Sequence, residues 1–145
     1  MPETPDMPEI TDPLLAPLQL ALFDALSAPG VITVYDTPPK GAALPYVSLG
    51  ETRLSPSPSS GGYTLYEGTT EINVWSETDS QMELKESMDT VTGLLTEASI
   101  TVPGYKLMEM RLTGASTSRQ GRGSRHLHQG QLILALRLSA SPSAV

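Results

Sequence analysis

The chain has 145 residues, a formal net charge of −7 and no cysteine. This length fits one domain with a single core, and the absence of cysteine excludes a disulfide framework and a thiolate metal site. The acidic total argues against a dedicated nucleic-acid binder, whose affinity comes mainly from neutralising phosphates. With neither the pattern of a signal peptide nor an apolar run of roughly 18 residues, we expect a soluble protein made in the cytoplasm.

The N-terminal third predicts an arm, a helix and a short strand. Residues 1–13 contain four prolines and no apolar periodicity, which predicts a flexible extended arm. A helix is expected within Leu14–Ser27, where one face carries Leu15, Leu18, Leu22 and Ala25. Ala28-Pro29-Gly30 should end this helix, and the β-rich pentad Val31–Tyr35 follows it.

Two longer strands are expected next, joined by a loop. Tyr46–Leu54 favours a strand, and the segment Ser55–Gly62 (SPSPSSGG) predicts a flexible hairpin tip. Tyr63–Glu77 predicts a long strand in which Tyr66, Gly68, Thr70, Ile72 and Val74 share one face.

The C-terminal half predicts a second helix and a final strand pair. Thr78 and Gln81 form a capping box, and the helix that follows has its apolar stripe at Leu84, Met88, Val91, Leu95 and Ala98. In the next strand, Tyr105–Thr113, alternation places Met108, Met110 and Leu112 on one face. Gly114–Arg125 predicts a second mobile loop, and Gln131–Leu138 predicts the last strand.

This order of elements is typical of an α+β fold. We expect a mixed, mostly antiparallel sheet of about four to five strands, with two helices packed on one face and long flexible hairpin loops. The expected domain covers residues 14–138, and residues 139–145 are expected to form a disordered tail.

Residues that could perform chemistry are few. His126 and His128 point to one face of a strand, but two imidazoles need a third metal ligand, and none is close in sequence. The acids of the second helix lie off its apolar stripe and are most simply its solvated face. The glycine-rich segment 121–125 lacks the context of a phosphate-binding loop, and Trp75 is interpreted as a lid on the core. We therefore predict no catalytic, cofactor-binding or metal-binding residue, no cofactor, and no enzymatic activity.

Charge is distributed unevenly along the chain. Residues 1–98 hold fifteen of the sixteen acids and three bases, whereas residues 99–145 hold one acid and six bases. Guanidinium groups on a mobile loop can bind carboxylates or phosphates of a partner, although a plain solvated loop explains them equally well. The candidate interface residues are Arg119, Arg122, Arg125, Tyr63, Tyr66 and Glu67.

Several segments of the chain resemble the tail-terminator or tail-completion family of long-tailed phages and gene transfer agents. The leucine-rich helix and its turn, LQLALFDALSAPGVITVYDTPP, fit this family. So do the segment GAALPYVSLG, with Pro39, Gly41, Ala42, Pro45, Tyr46 and Val47, and the strand-to-helix segment EINVWSETDSQMELKESMDTVTGLL. The resemblance spans roughly residues 14–138. The proline-rich arm and the arginine-bearing loop depart from the family pattern.

The resemblance implies a structural protein of a phage or phage-like particle, located at the head–tail junction. Such a protein forms a ring, usually a hexamer, that caps the tail tube, ends tail polymerisation and joins the head connector. Its partners would be itself, the tail tube protein and the connector, with DNA passing through the channel without sequence-specific binding. The alternatives are a small binding or regulatory domain for a peptide or ligand, and a hydrolase with an unrecognised serine. A deep pocket lined by Tyr46, Trp75 and His126 would favour these alternatives.

Overall fold

The computed structural model describes residues 14–57, 64–77, 81–97, 100–122 and 125–140, without the side chains of residues 120–126. The expected arm (residues 1–13), the centre of the first hairpin loop, the capping residue Thr78, the stripe residue Ala98 and the last five residues lie outside this description. The boundaries expected for the arm and the tail therefore stay predictions, except that the last strand continues two residues beyond Leu138.

The described chain forms two helices and five strands. The helices are α1 (Leu15–Ser27) and α2 (Gln81–Glu97), and the strands are β1 (Val34–Tyr35), β2 (Tyr46–Ser57), β3 (Leu65–Glu77), β4 (Tyr105–Arg122) and β5 (Arg125–Ala140). They form one sheet in the order β1-β2-β3-β5-β4. β1 is parallel to β2, and the other neighbours are antiparallel. This confirms the predicted α+β fold with its mixed, mostly antiparallel sheet.

Both helices contribute a leucine-rich stripe to one core. α2 packs against β3, β5 and β4, and α1 packs against α2, β1 and β2. The stripe predicted for α2 is confirmed, since Leu84, Met88, Val91 and Leu95 are buried. The stripe predicted for α1 is confirmed at Leu18 and Leu22, which are buried, and Ala25 is partly buried, but the stripe was wrong at Leu15. The buried residues repeat every four positions, and Leu15 is 59% exposed; the buried set is Leu14, Leu18, Leu22 and Leu26.

The sheet supplies the other half of the core from one face. The alternation predicted for β3 is confirmed, because Tyr66, Thr70, Ile72 and Val74 are buried. These residues pair with the even-numbered positions of β5, of which Leu132, Leu134, Leu136 and Leu138 are buried. We call this side of the sheet the covered face and the other side the open face.

Two register shifts interrupt the alternation predicted for β4, which is confirmed for Met110 and Leu112 and was wrong for Met108. The pairing with β5 shifts between Leu107 and Glu109, and again between Leu112 and Gly114. A bulge adds a residue to one strand and so exchanges the faces of all the residues that follow. Met108 is consequently half exposed, whereas Leu107, Met110 and Leu112 share the covered face.

Much of what the sequence predicted as loop is strand. The mobile loop predicted over Gly114–Arg125 was wrong, because β4 continues to Arg122 and pairs with β5 along its whole length. Each residue pair between β4 and β5 satisfies backbone N–H and C=O groups that would otherwise bind water. Short polar residues can therefore extend β4, because β5 lies beside them. Ser55–Ser57 likewise belong to β2. Pro56 is tolerated there because β1 covers only the start of β2 and leaves this part on an edge.

Candidate assembly surfaces

The two ends of the sheet carry different hairpins. The β2–β3 hairpin pairs Ser57 with Leu65, and at that same end β3 pairs Leu65 with Ser139 of β5. The β4–β5 hairpin closes at the opposite end, where Arg122 pairs with Arg125. With 18 residues at about 3.3 Å each, β4 spans roughly 60 Å. The described ends of the two hairpins therefore lie at opposite ends of the sheet.

The open face carries a row of charges across three strands. Arg137 of β5 donates from Nε to Oε2 of Glu67 on β3 at 3.0 Å, and its Nη1 lies 3.9 Å from Oε1 of Glu109 on β4. Glu109 also accepts a 2.7 Å hydrogen bond from Nε of Arg111. These side chains are 37–63% exposed, so the row aligns three strands and remains accessible to a partner.

A polar and aromatic group lies further along the open face. Nε2 of Gln129 donates to Oδ1 of Asn73 at 3.1 Å. Nε1 of Trp75 donates to Oγ of Ser48 at 3.1 Å. The Trp75 ring lies 6.4 Å from that of Tyr46. Trp75 thus lies on the open face and is not the lid over the core that the sequence indicated.

The six interface candidates occupy different environments. Arg119 is exposed on β4, and the backbones of Arg122 and Arg125 pair in the hairpin. Glu67 belongs to the charged row of the open face. Tyr66 was predicted wrongly as an interface residue, since it is buried and its ring packs edge to face against Tyr105 at 6.1 Å. Tyr63 lies outside the described residues.

The outward side of α1 forms an apolar surface that the sequence reading missed. Leu15, Ala16, Leu20 and Phe23 line a shallow depression of about 560 Å³, with Asp36 at its border. We call these four residues the α1 patch. The sequence contained an indication of this patch. The helix LAPLQLALFDALS is apolar around most of its circumference, whereas a helix that is covered on only one side needs a single apolar stripe.

A second depression lies on the other side of the domain, between α2 and the edge strand β4. It measures about 400 Å³, and its apolar lining comes from Met88, Leu112, Ala115 and Leu132. We call these four residues the β4 groove. Lys85 and Asp89 border it on the α2 side. No sequence pattern predicted the β4 groove, because it forms only where α2 packs beside β4.

Among the described residues there is no group of three or more potential metal ligands. No described depression is lined by Tyr46 or Trp75, the residues whose pocket would have favoured a ligand-binding domain. His128 is buried in β5, and the side chain of His126 falls outside the description. No helix in the described ranges is long and apolar enough to cross a membrane. The α1 patch and the β4 groove are open depressions on the surface.

Comparison with known proteins agrees with a role in assembly. The family model for tail completion protein gp17 matches residues 20–136, which is most of the chain. The chain therefore belongs to the tail completion protein gp17 family. Membership identifies it as a structural component of a virion or phage-like particle, with a role in the tail.

A solved structure shares the fold. A chain from the virion of a native gene transfer agent particle superposes with a TM-score of 0.71 at 19% sequence identity, and the match covers 85% of this chain and 95% of that one. A comparison with curated proteins gives no match.

Proposed function

We propose that this protein caps the tail tube as a closed ring of copies, ends tube polymerisation and joins the tail to the head connector. The observation that carries the proposal is the family match over residues 20–136 on a domain whose described depressions are open surfaces. A ring that ends a tube must contact its own copies, the tube below and the connector above. A five-stranded sheet with hairpins at opposite ends offers lateral edges for the first contact and two ends for the others.

The β4–β5 hairpin is our candidate for a partner contact. Arg119 is exposed, and Arg122 and Arg125 follow at the hairpin end. Because β4 and β5 are paired up to Arg122 and Arg125, the backbones of the three arginines lie on ordered strands, which lowers the entropy that a partner contact would cost. We propose that they bind acidic groups of the connector or of the tube protein.

The acidic total favours a channel that releases DNA. A net charge of −7 per copy repels phosphates, so a ring of such copies would not retain the DNA that passes through it. The proposed role includes neither a cofactor nor a catalytic step.

A particle lacking this gene product provides the test. We expect free heads, and tails whose length is no longer controlled, with both defects restored by the wild-type chain. Labelled protein should lie at the head–tail junction in electron micrographs. A second arm uses Arg119→Ser, Arg122→Ser and Arg125→Ser together, which should fold normally and fail to restore joining. A matched control is Arg53→Ser, which removes an exposed arginine from β2.

Each outcome bears on a different part of the proposal. Normal particles without the gene product, or protein located elsewhere in the particle, would overturn the capping and joining role. Full restoration by the triple variant would overturn only the role of the β4–β5 hairpin.

A further inference from the structure

The exposed apolar residues of this domain are concentrated on its two lateral edges. Within the described ranges, six large apolar side chains are exposed. Three lie in or just after α1, which covers β1 and β2, and two lie on β4 at the opposite edge of the sheet. The six are Leu15, Leu20, Val31, Met108, Leu112 and, on α2, Met82.

The α1 patch lacks the charges that a solvated helix carries. Leu15 is 59% exposed and Leu20 is 60% exposed, and Asp24 is the only charged residue of the helix. In α2, by contrast, the exposed positions include Glu83, Lys85, Glu86, Asp89 and Glu97. Both helices pack on the same sheet, so packing on the sheet does not explain why α1 has fewer charged residues than α2. We attribute this difference to the surroundings of their outward sides. Contiguous exposed apolar side chains of this kind mark a contact site.

The β4 groove is the surface on the opposite edge that can accept such a helix. Leu112 is 39% exposed at the rim, and Met88 and Leu132 are buried beneath it. Beyond Ala115 and Thr117 on the same face, Arg119 is exposed. The groove thus combines an apolar floor with Lys85 and Asp89 on its α2 border and with Arg119 on the β4 side, where the nearby charge is basic.

The two edges are complementary in charge. Residues 14–39 contain two acids, Asp24 and Asp36, and no base. In β4, residues 105–119 contain three bases and one acid. Arg119 shares the covered face with the groove, whereas Lys106 and the ion-paired Arg111 and Glu109 lie on the open face. A contact between two α1 patches would bring acids together, and one between two β4 edges would bring bases together. Opposite charges favour pairing one edge with the other.

We propose that the α1 patch of one copy packs into the β4 groove of the next copy. This inference rests on the proposed ring and names the two surfaces that build it. A contact between two different surfaces of the same chain is heterologous, and such contacts close into rings when the rotation between copies permits. The occupant of each surface is therefore a second copy of this chain.

Two single variants and their mixture form the test. Leu20→Glu disables the α1 patch, and Ala115→Glu disables the β4 groove; both positions are exposed in the isolated domain. Each variant alone should require at least about tenfold more protein to assemble, because a buried charge replaces a central apolar contact. An equimolar mixture should give a dimer and no ring, because only one productive pair of surfaces remains. Native mass spectrometry and sedimentation measure these states, both in solution and on purified tail tubes.

Met82→Glu is the matched control, since it makes a comparable change at a position 63% exposed and outside both surfaces. It should assemble like the wild type, and all variants should keep the wild-type melting temperature within a few degrees. Rings formed normally by Leu20→Glu or Ala115→Glu would overturn this inference alone. So would a mixture without dimers, or variant rings that fail only to attach to the tube. A wild-type chain that forms no ring in either setting would overturn the proposed function itself.

Discussion

The two faces of the sheet carry different side chains, although the same strands form both faces. Along β5 the even positions present Leu132, Leu134, Leu136 and Leu138 to the helices, while the odd positions present Gln131, Ile133, Ala135 and Arg137 to the open side. Successive side chains of a strand point to opposite faces, so neighbouring residues can serve different purposes. The covered face buries the side chains that stabilise the domain, and the open face exposes polar and charged groups.

The largest expected difference between the faces concerns two adjacent residues of β5. Leu134→Ala should lower the free energy of unfolding by about 2–5 kcal/mol, because Leu134 is fully buried in the strand between β3 and β4. Ile133→Ala, on the open face and half buried, should cost about 1 kcal/mol or less. Urea unfolding at one fixed protein concentration measures both. Equal losses would contradict the division of roles between the faces.

Two glycines, one on each face of the sheet, differ in the space available for a Cβ atom. A Cβ added at Gly68, on the covered face, would collide with the backbone of Arg53 and Leu54 on β2. Because backbone cannot move aside cheaply, Gly68→Ala should cost about 1–3 kcal/mol. A Cβ at Gly114, on the open face, would meet Ile133 at an ordinary 3.8 Å, so Gly114→Ala should change stability by less than about 0.5 kcal/mol. Thermal melting of the pair would refute this if Gly114→Ala were the more damaging change.

A modest effect is expected from the charged row of the open face. Arg137→Gln removes the group between Glu67 and Glu109 and should cost about 0.5–1 kcal/mol at low salt. The cost should fall in about 1 M salt, which screens exposed charges. Arg53→Gln is the control, because Arg53 and Glu51 are 81% and 73% exposed and their pair should contribute almost nothing. A loss at Arg137 that does not depend on salt would show that packing of its stem matters more than its charge.

The elements that the sequence predicted well are those whose residues depend on near neighbours. The stripe of α2 and the alternation of β3 repeat with the periods of a helix and a strand, and both are confirmed. In α1 the leucines are so dense that two stripes fit equally well, and contact with the sheet selected the one containing Leu14 and Leu26. Gly114–Arg125 was misread because its glycines, serines and threonines favour turns, although β5 offers it a complete set of backbone partners.

The candidate surfaces were only partly visible in the sequence. Arg119 was predicted from its charge and from a loop that proved to be strand, and it is exposed on β4. Tyr66 was a candidate interface residue, whereas its position on β3, opposite Leu138, places it in the core. The sequence did not predict that the α1 patch is exposed, because an apolar helix is equally consistent with complete burial and with an intermolecular contact.

By itself, the sequence determined the α+β class, the family, and which side of α2 and of β3 is apolar. These follow from local periodicity and from short segments such as INVWSET, which need no knowledge of distant residues. The tertiary structure alone decided the order β1-β2-β3-β5-β4, the parallel pairing of β1 and the two register shifts of β4. Strand order and register depend on hydrogen bonds between residues far apart in the chain, and one added residue exchanges the faces of everything after it. For the same reason, only the folded domain shows that α1 and β4, at opposite edges of the sheet, leave apolar surfaces exposed.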